Sequence, residues 1–158
     1  MRKAFRRSLW VLAALAATLG AGCQRASVRT GAAPTQTHWS LATDALFAFG
    51  RASFSPNQPH VQLEQLATML TRRQITAVRL VGYTDRLGSP QTNLALSRRR
   101  AETVRDYLVV RGVPPDVFSV EGRGEADPLV HCPNRKGAQL IACLAPNRRV
   151  EVNISARD

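Results

Sequence analysis

Ala77-Val78-Arg79-Leu80-Val81-Gly82-Tyr83-Thr84-Asp85-Arg86-Leu87-Gly88-Ser89-Pro90-Gln91-Thr92-Asn93-Leu94-Ala95-Leu96-Ser97-Arg98-Arg99-Arg100-Ala101 is the stretch in which two structural periods meet. Ala77, Val78, Leu80 and Val81 form an almost continuous apolar run of strand length, the pattern of a strand covered on both faces. Asp85 to Gly88 supply turn chemistry. Ser89 then stands as a helix cap, with Pro90 in the first turn, where its fixed φ suits a helix and its missing N–H costs nothing. Leu94, Ala101, Val104 and Leu108 carry the helical period onward until Gly112 and Pro114-Pro115 close it. A buried strand leading through a short turn into a long helix is a building unit of α/β folds. Asn93, Ser97 and Arg100 are spaced by four and three, so they share one face of that helix. Asp85 lies just beyond the carboxyl end of the strand, near where the helix begins, a place where α/β folds commonly bind ligands.

Working outward, Ala45-Leu46-Phe47-Ala48-Phe49 is a short apolar run that stops at Gly50 and predicts a strand. Val61, Leu63, Leu66, Ala67 and Leu70 repeat at helical intervals and end at Arg72-Arg73. Phe118 and Val120 predict another strand, and Val150, Val152 and Ile154 alternate with Glu151 and Asn153 in the last. Strands and helices alternate, so the expected fold is an α/β (α+β) two-layer sandwich with helices on a mixed sheet. There is no internal repeat.

Gly82-Tyr83-Thr84-Asp85-Arg86-Leu87-Gly88-Ser89, then Asn93-Leu94-Ala95-Leu96-Ser97-Arg98-Arg99-Arg100-Ala101 with Val104 and Leu108, closely resembles the peptidoglycan-binding module of the OmpA-like family. Leu46-Phe47-Ala48-Phe49 resembles the family's opening strand. Gly122-Arg123-Gly124-Glu125 resembles the turn after its third strand, and Asn147-Arg148-Arg149-Val150-Glu151-Val152 its closing strand. Gly50 stands where the family usually has an acidic residue. The resemblance implies the order β-α-β-α-β, an insert, then a final β. It also implies that Asp85 and Arg100 grip diaminopimelate in the peptide stem of peptidoglycan, with Asn93 and Arg148 lining the same pocket. The chemistry suits an amino acid end, which is a zwitterion: a carboxylate holds the ammonium, and a guanidinium holds the carboxylate through two parallel bonds. Blander roles stay open at this point. Asp85 is also the residue type that caps turns. Arg98 and Arg99 read as a solvated face, Ser97 as packing or capping, and Tyr83 and Trp39 as core or rim aromatics. Leu140-Ile141-Ala142-Cys143-Leu144-Ala145-Pro146-Asn147 resembles family members with a disulfide in the insert, which implies a bond between Cys132 and Cys143. His131 beside them does not complete a four-ligand metal site, so no metal and no other cofactor is expected.

Met1 to Arg7 are basic, Ser8 to Gly22 are uncharged with an apolar core, and small residues end the run, which are the three parts of an export signal. A spanning helix needs about 20 predominantly apolar residues, more than this run offers. Leu19-Gly20-Ala21-Gly22-Cys23 resembles a bacterial lipobox, with the leucine one place further from the cysteine than usual. This implies acylation (palmitate among the chains) of Cys23, and Gln24 in the next place favours the outer membrane. Cleavage near Ala21 without acylation is the alternative. Arg25 to His38 lack apolar periodicity and read as a flexible tether. The chain is thus divided into an export signal over 1–22, an acylated start and tether over 23–38, and one folded domain over 39–158.

The full chain carries 158 residues and a formal charge of +11, from 22 basic and 11 acidic residues. Such a balance suggests an anionic partner such as nucleic acid. Arg2, Lys3, Arg6 and Arg7 leave with the signal, however, and export removes the chain from nucleic acid, so none is expected as a partner. The three histidines, His38, His60 and His131, fall in no Ser-His-Asp order and accompany no nucleophile elbow, so no enzyme is expected. The reading that follows is a lipoprotein tethering the outer membrane to peptidoglycan. Two alternatives remain: a lipoprotein of the Tol–Pal type with a periplasmic or outer-membrane protein partner, and a charge-driven binder of anionic polymer.

Overall fold

The computed structural model describes residues 33–48, 50–56 and 60–157. The export signal, Cys23 and most of the expected tether lie outside the described residues. Among the described residues, four strands and three helices follow one another: β1 (Thr35–Ala42), α1 (Val61–Thr71), β2 (Gln74–Gly82), α2 (Pro90–Val110), β3 (Phe118–Gly122), α3 (Gly137–Cys143) and β4 (Arg149–Arg157). The sheet order is β1-β4-β2-β3. β4 runs antiparallel to both β1 and β2, and β3 runs parallel to β2, with α2 as the crossover between them. The fold is the expected two-layer α/β sandwich on a mixed sheet.

The first strand departs from expectation. The apolar run Leu46-Phe47 follows a 3-10 turn (Thr43–Ala45) and enters the core there, with Phe47 forming only an isolated bridge to Phe54. The strand lies earlier, and its residues Thr35 to His38 belong to the sheet rather than to a tether. Its inward positions are Thr35, Thr37, Trp39 and Leu41, half of them polar, so hydropathy alternation is faint and cross-strand pairing with β4 holds it in place.

α1 and α2 cover one face of the sheet. Leu63, Leu66, Ala67 and Leu70 from α1 meet Ala101, Val104 and Leu108 from α2 over Val78, Leu80, Val150, Val152 and Ile154. β2 is not covered on both faces throughout: Arg79 is exposed and pairs with Glu121 on β3. The same open face carries hydrogen bonds between His38 and Asn153 and between Gln36 and Ser155. This is the one-sided burial usual for sheets with antiparallel pairs. Leu94, counted in the helical period from sequence, is 53% exposed, because the inward face of α2 at that level carries polar residues instead.

α2 approaches the sheet very closely at its amino-terminal half. A Cβ on Gly82 would stand 2.0 Å from the Ser97 carbonyl oxygen, and one on Gly122 2.5 Å from the Arg98 backbone nitrogen. Glycine at both strand ends is what lets the helix lie there. Beyond β3 the chain forms the insert, in which Cys132 and Cys143 are joined as a disulfide with Cα atoms 6.1 Å apart. α3 and buried Asn147 pack that insert back toward the start of β4.

Candidate ligand-binding site at one end of the sheet

Three chain segments leave the same end of the sheet. Ala42 at the end of β1 is paired with Arg149 at the start of β4, and Gly82 at the end of β2 with Val150. The residues just outside this row, Thr43-Asp44, Tyr83-Thr84-Asp85 and Arg148, therefore come together. α2 starts beside them, capped by Ser89 Oγ, which accepts the Thr92 N–H at 3.2 Å. Asn93, Ser97 and Arg100 are buried on one helix face, and Arg98 and Arg99 are exposed, with Arg98 in an ion pair to Glu102.

Asp85 is 7% exposed, and both of its carboxylate oxygens are engaged. Oδ1 accepts the Leu87 N–H at 2.9 Å, the turn-capping role its residue type suggested. Oδ2 accepts from Arg148 Nη1 at 2.6 Å. Each oxygen keeps spare acceptor capacity, since a carboxylate takes about four hydrogen bonds.

Arg148 is committed to the protein. Its Nε and Nη2 form a fork on Asp44, at 2.8 Å to Oδ1 and 2.6 Å to Oδ2, and Nη1 also reaches the Ile141 carbonyl at 3.1 Å. These carboxylate bonds, Asp44's first, outweigh burial and push its pKa above the usual arginine value. Arg148 lines the cavity as expected, but it works as a strut between two carboxylates and the insert.

Arg100, 3% exposed, is held differently. Nε donates to the Arg51 carbonyl at 2.9 Å and Nη1 to Thr43 Oγ1 at 3.2 Å, and the guanidinium lies 5.5 Å from the Phe47 ring centroid. Of the five N–H donors of a guanidinium, Nη2 and one hydrogen of Nη1 stay open among the described residues. Burial lowers its pKa, against the opposing pull of Asp44 and Asp85 and with help from the Arg148 charge. Arg100 is thus a buried, poorly solvated cation with open donors.

Asn93 donates from Nδ2 to Glu125 Oε2 at 2.7 Å and to the Asp85 carbonyl at 3.2 Å, so its amide orients the turn. Ser97 Oγ accepts the Gly124 N–H at 2.9 Å, the capping role expected of it. Asp44, Thr84, Asp85, Asn93, Arg100 and Arg148 all line one cavity of about 220 Å³. Thr84 Oγ1 is buried there without a hydrogen-bond partner among the described residues. An unpaired buried hydroxyl costs roughly 1–3 kcal/mol, so this atom is an orphan awaiting a partner. Gly50 also lines the cavity, with nothing within 4 Å of where its Cβ would be, and Asp44 brings an acidic group to the same cavity.

Asp44, Thr43 and Thr84 were not singled out from sequence. Thr84 stood inside the quoted motif without a role. For Thr43-Asp44 no local signal exists, because their arginines lie 57 and 104 residues away. A larger concavity of about 760 Å³ runs along the outer side of α1 from His60 to Arg73 and gathers none of these groups.

The fold that carries this sheet end and its long capped helix is shared with known proteins. The sequence profile of the OmpA family matches residues 46–141, and the chain belongs to that family. It is 43% identical over 121 residues to Outer membrane protein A of Yersinia pseudotuberculosis serotype I (strain IP32953), covering 73% of this chain and 34% of that one. It is 42% identical over 122 residues to Outer membrane protein A of Escherichia fergusonii, covering 74% and 50%. The chain therefore spans about a third to a half of the curated relatives it matches. Among solved structures, the cell wall anchor of the T6SS from Pseudomonas aeruginosa aligns with a TM-score of 0.64 at 26% identity, over 77% of this chain and 82% of that one. The peptidoglycan-associated lipoprotein from Burkholderia pseudomallei aligns with a TM-score of 0.54 at 30% identity, over 73% and 88%.

Proposed function

We propose that this protein is an outer-membrane lipoprotein, acylated at Cys23, whose periplasmic domain binds peptidoglycan without catalysing a reaction and so ties the membrane to the wall. The observation that carries the binding half is one cavity presenting a carboxylate with spare acceptor capacity, Asp85, and a buried guanidinium with open donors, Arg100. A zwitterionic amino acid end, such as that of diaminopimelate in a stem peptide, places an ammonium on the first and a carboxylate on the second. The orphaned Thr84 hydroxyl offers a further contact to the same ligand. Likeness to a peptidoglycan-associated lipoprotein and a cell wall anchor supports the ligand, and relatives named as outer membrane proteins support the location. The lipobox-like run before Cys23 supports the anchor.

Purified sacculi test the binding. The wild-type domain is expected to sediment with them, and Asp85→Ala and Arg100→Ala to remain in solution. Arg100→Lys keeps the charge but loses the planar fork, and is expected to bind at least roughly tenfold more weakly. Retention that survives these substitutions but vanishes with added salt would instead establish charge-driven polymer binding. For the anchor, metabolic labelling with palmitate is expected to mark the wild type and leave Cys23→Ser unlabelled; label persisting in the variant sinks the assignment.

A further inference from the structure

A second cavity, of about 190 Å³, lies against the first and is lined by Arg86, Glu125, Pro128, Val130, His131 and Asn147. Three links join the two. Arg86 follows Asp85, Asn147 precedes Arg148, and Glu125 Oε2 accepts from Asn93 Nδ2 at 2.7 Å. The two cavities are thus contiguous through neighbouring residues and the Asn93–Glu125 hydrogen bond, so a ligand larger than one amino acid can reach from one into the other.

The outer wall of this cavity is built rather than adaptable. Asp127 and Cys132, the residues that bracket the loop, both have left-handed backbones, with φ of 50° and 51°. Such strain persists in non-glycine residues only where surrounding structure over-determines it, and it clusters at ligand-binding places. Here Asn147 Oδ1 accepts the N–H groups of Leu129 and Val130 at 2.8 and 2.9 Å, and its Nδ2 donates to the Val130 carbonyl at 2.8 Å. Arg149 donates to the Asp127 carbonyl, Arg123 pairs with the Asp127 carboxylate at 2.7 Å, and the disulfide closes the far end.

The chemistry of the lining is specific. Arg86 lines the cavity, is exposed, and has no ion pair among the described residues. Glu125 spends Oε2 on Asn93, and its Oε1 has no hydrogen bond among the described residues. An open cation and an open acceptor side by side fit a carboxylate next to a peptide N–H.

We propose that this cavity is a second subsite, taking the residue that adjoins the zwitterionic one in a peptide: Arg86 binds that residue's carboxylate, and Glu125 Oε1 accepts a peptide N–H. The assignment rests on the peptidoglycan reading of the first cavity. Calorimetric titration of the protein with free diaminopimelate and with a diaminopimelate-containing stem tetrapeptide tests it. The tetrapeptide is expected to bind more tightly than the free amino acid. Arg86→Gln, an exposed position, is expected to weaken the tetrapeptide by roughly tenfold, about the worth of one charge-assisted contact, and to leave free diaminopimelate unchanged. Two amidated tetrapeptides identify the carboxylate, one blocked on the residue before diaminopimelate and one at the carboxyl terminus. The correct one loses affinity for the wild type and loses none further for Arg86→Gln. The subsite is overturned if Arg86→Gln binds the tetrapeptide as the wild type does, if it weakens both ligands equally, or if neither amidation matters. Asp85→Ala separates this from failure of the underlying reading: it is expected to abolish both titrations, and persistence of both overturns the first cavity's role and the subsite with it.

Discussion

Arg100 and Arg148 are the same residue type in the same cavity, and their hydrogen bonds divide the work between them. Arg148 is consumed by Asp44, Asp85 and the Ile141 carbonyl, whereas Arg100 keeps donors for a ligand. Asp44 decides this division. It takes the fork of Arg148 and leaves Asp85 a single bond from that guanidinium. In Asp44→Asn the fork is released to close on Asp85 and quench the charge that a ligand ammonium needs. Diaminopimelate binding is expected to fall several-fold, while stability falls by no more than roughly 1 kcal/mol, since the Asp44 side chain is 47% exposed. Titration and thermal melting of the same sample check both halves; unchanged affinity would return Asp44 to a purely structural role. The face shared by Asn93, Ser97 and Arg100 was legible from their spacing alone, because a helix repeats on itself. The residues they touch were not, because hydrogen-bond partners supplied by distant segments leave no trace in local sequence.

At the scale of elements, the contact between α2 and the strand ends sets the cavity's shape. Gly122→Ala would drive a methyl group into the helix backbone at Arg98. A backbone neighbour yields little, so a loss of roughly 1–3 kcal/mol is expected, and diaminopimelate affinity is expected to fall with it because Asn93 and Arg100 ride on the displaced helix. Denaturant unfolding and titration check the pair of effects. A second element-level contact joins α1 to α2, where Glu64 accepts from both Arg111 and Tyr107. The Arg111 hydrogen bond, then that of Tyr107, lowers the Glu64 pKa below its ordinary value of 4.5. A depressed carboxylate pKa adds stability that is present above the unfolded-state value and is lost as pH falls through the folded-state value. Glu64→Gln is therefore expected to be less stable than wild type at neutral pH and to converge with it in acid below the folded-state pKa. Melting curves across pH 2–7 check this, and a constant gap would exclude the linkage. α2 and β4 were readable because cap, turn and period agreed. β1 was misplaced because an edge strand with threonines on its inward side looks, in sequence, like a tether.

For the whole molecule, the insert is the component that local folding rules secure least. Its short helix α3 has no buried residue, and its loop bears three non-glycine left-handed residues, Asp127, Cys132 and Asn134. The disulfide offsets this by shortening the unfolded chain's freedom, by about 3 kcal/mol for a loop of this length. Replacing Cys132 and Cys143 with serine is expected to cost that much in denaturant unfolding, and to weaken ligand binding as well, because Ile141, inside the closed loop, holds Arg148. Loss of stability with binding intact at saturating folded protein would separate the insert from the site.

Sequence by itself determined the β2–turn–α2 unit, the face of α2 shared by Asn93, Ser97 and Arg100 with Ala101, Val104 and Leu108, and the core-facing alternation of β4, since each follows from a repeat distance that a helix or strand imposes on its own residues. It also carried Asp85 and Arg100, which sit within that unit. Only the tertiary structure decided what surrounds them. With β4 lying between β1 and β2, the end of β1, the end of β2 and the start of β4 meet at one end of the sheet, and Thr43, Asp44, Thr84 and Arg148 become neighbours there. Strand order is a property of long-range pairing, and no periodicity along the chain encodes which distant residues it will bring into one cavity.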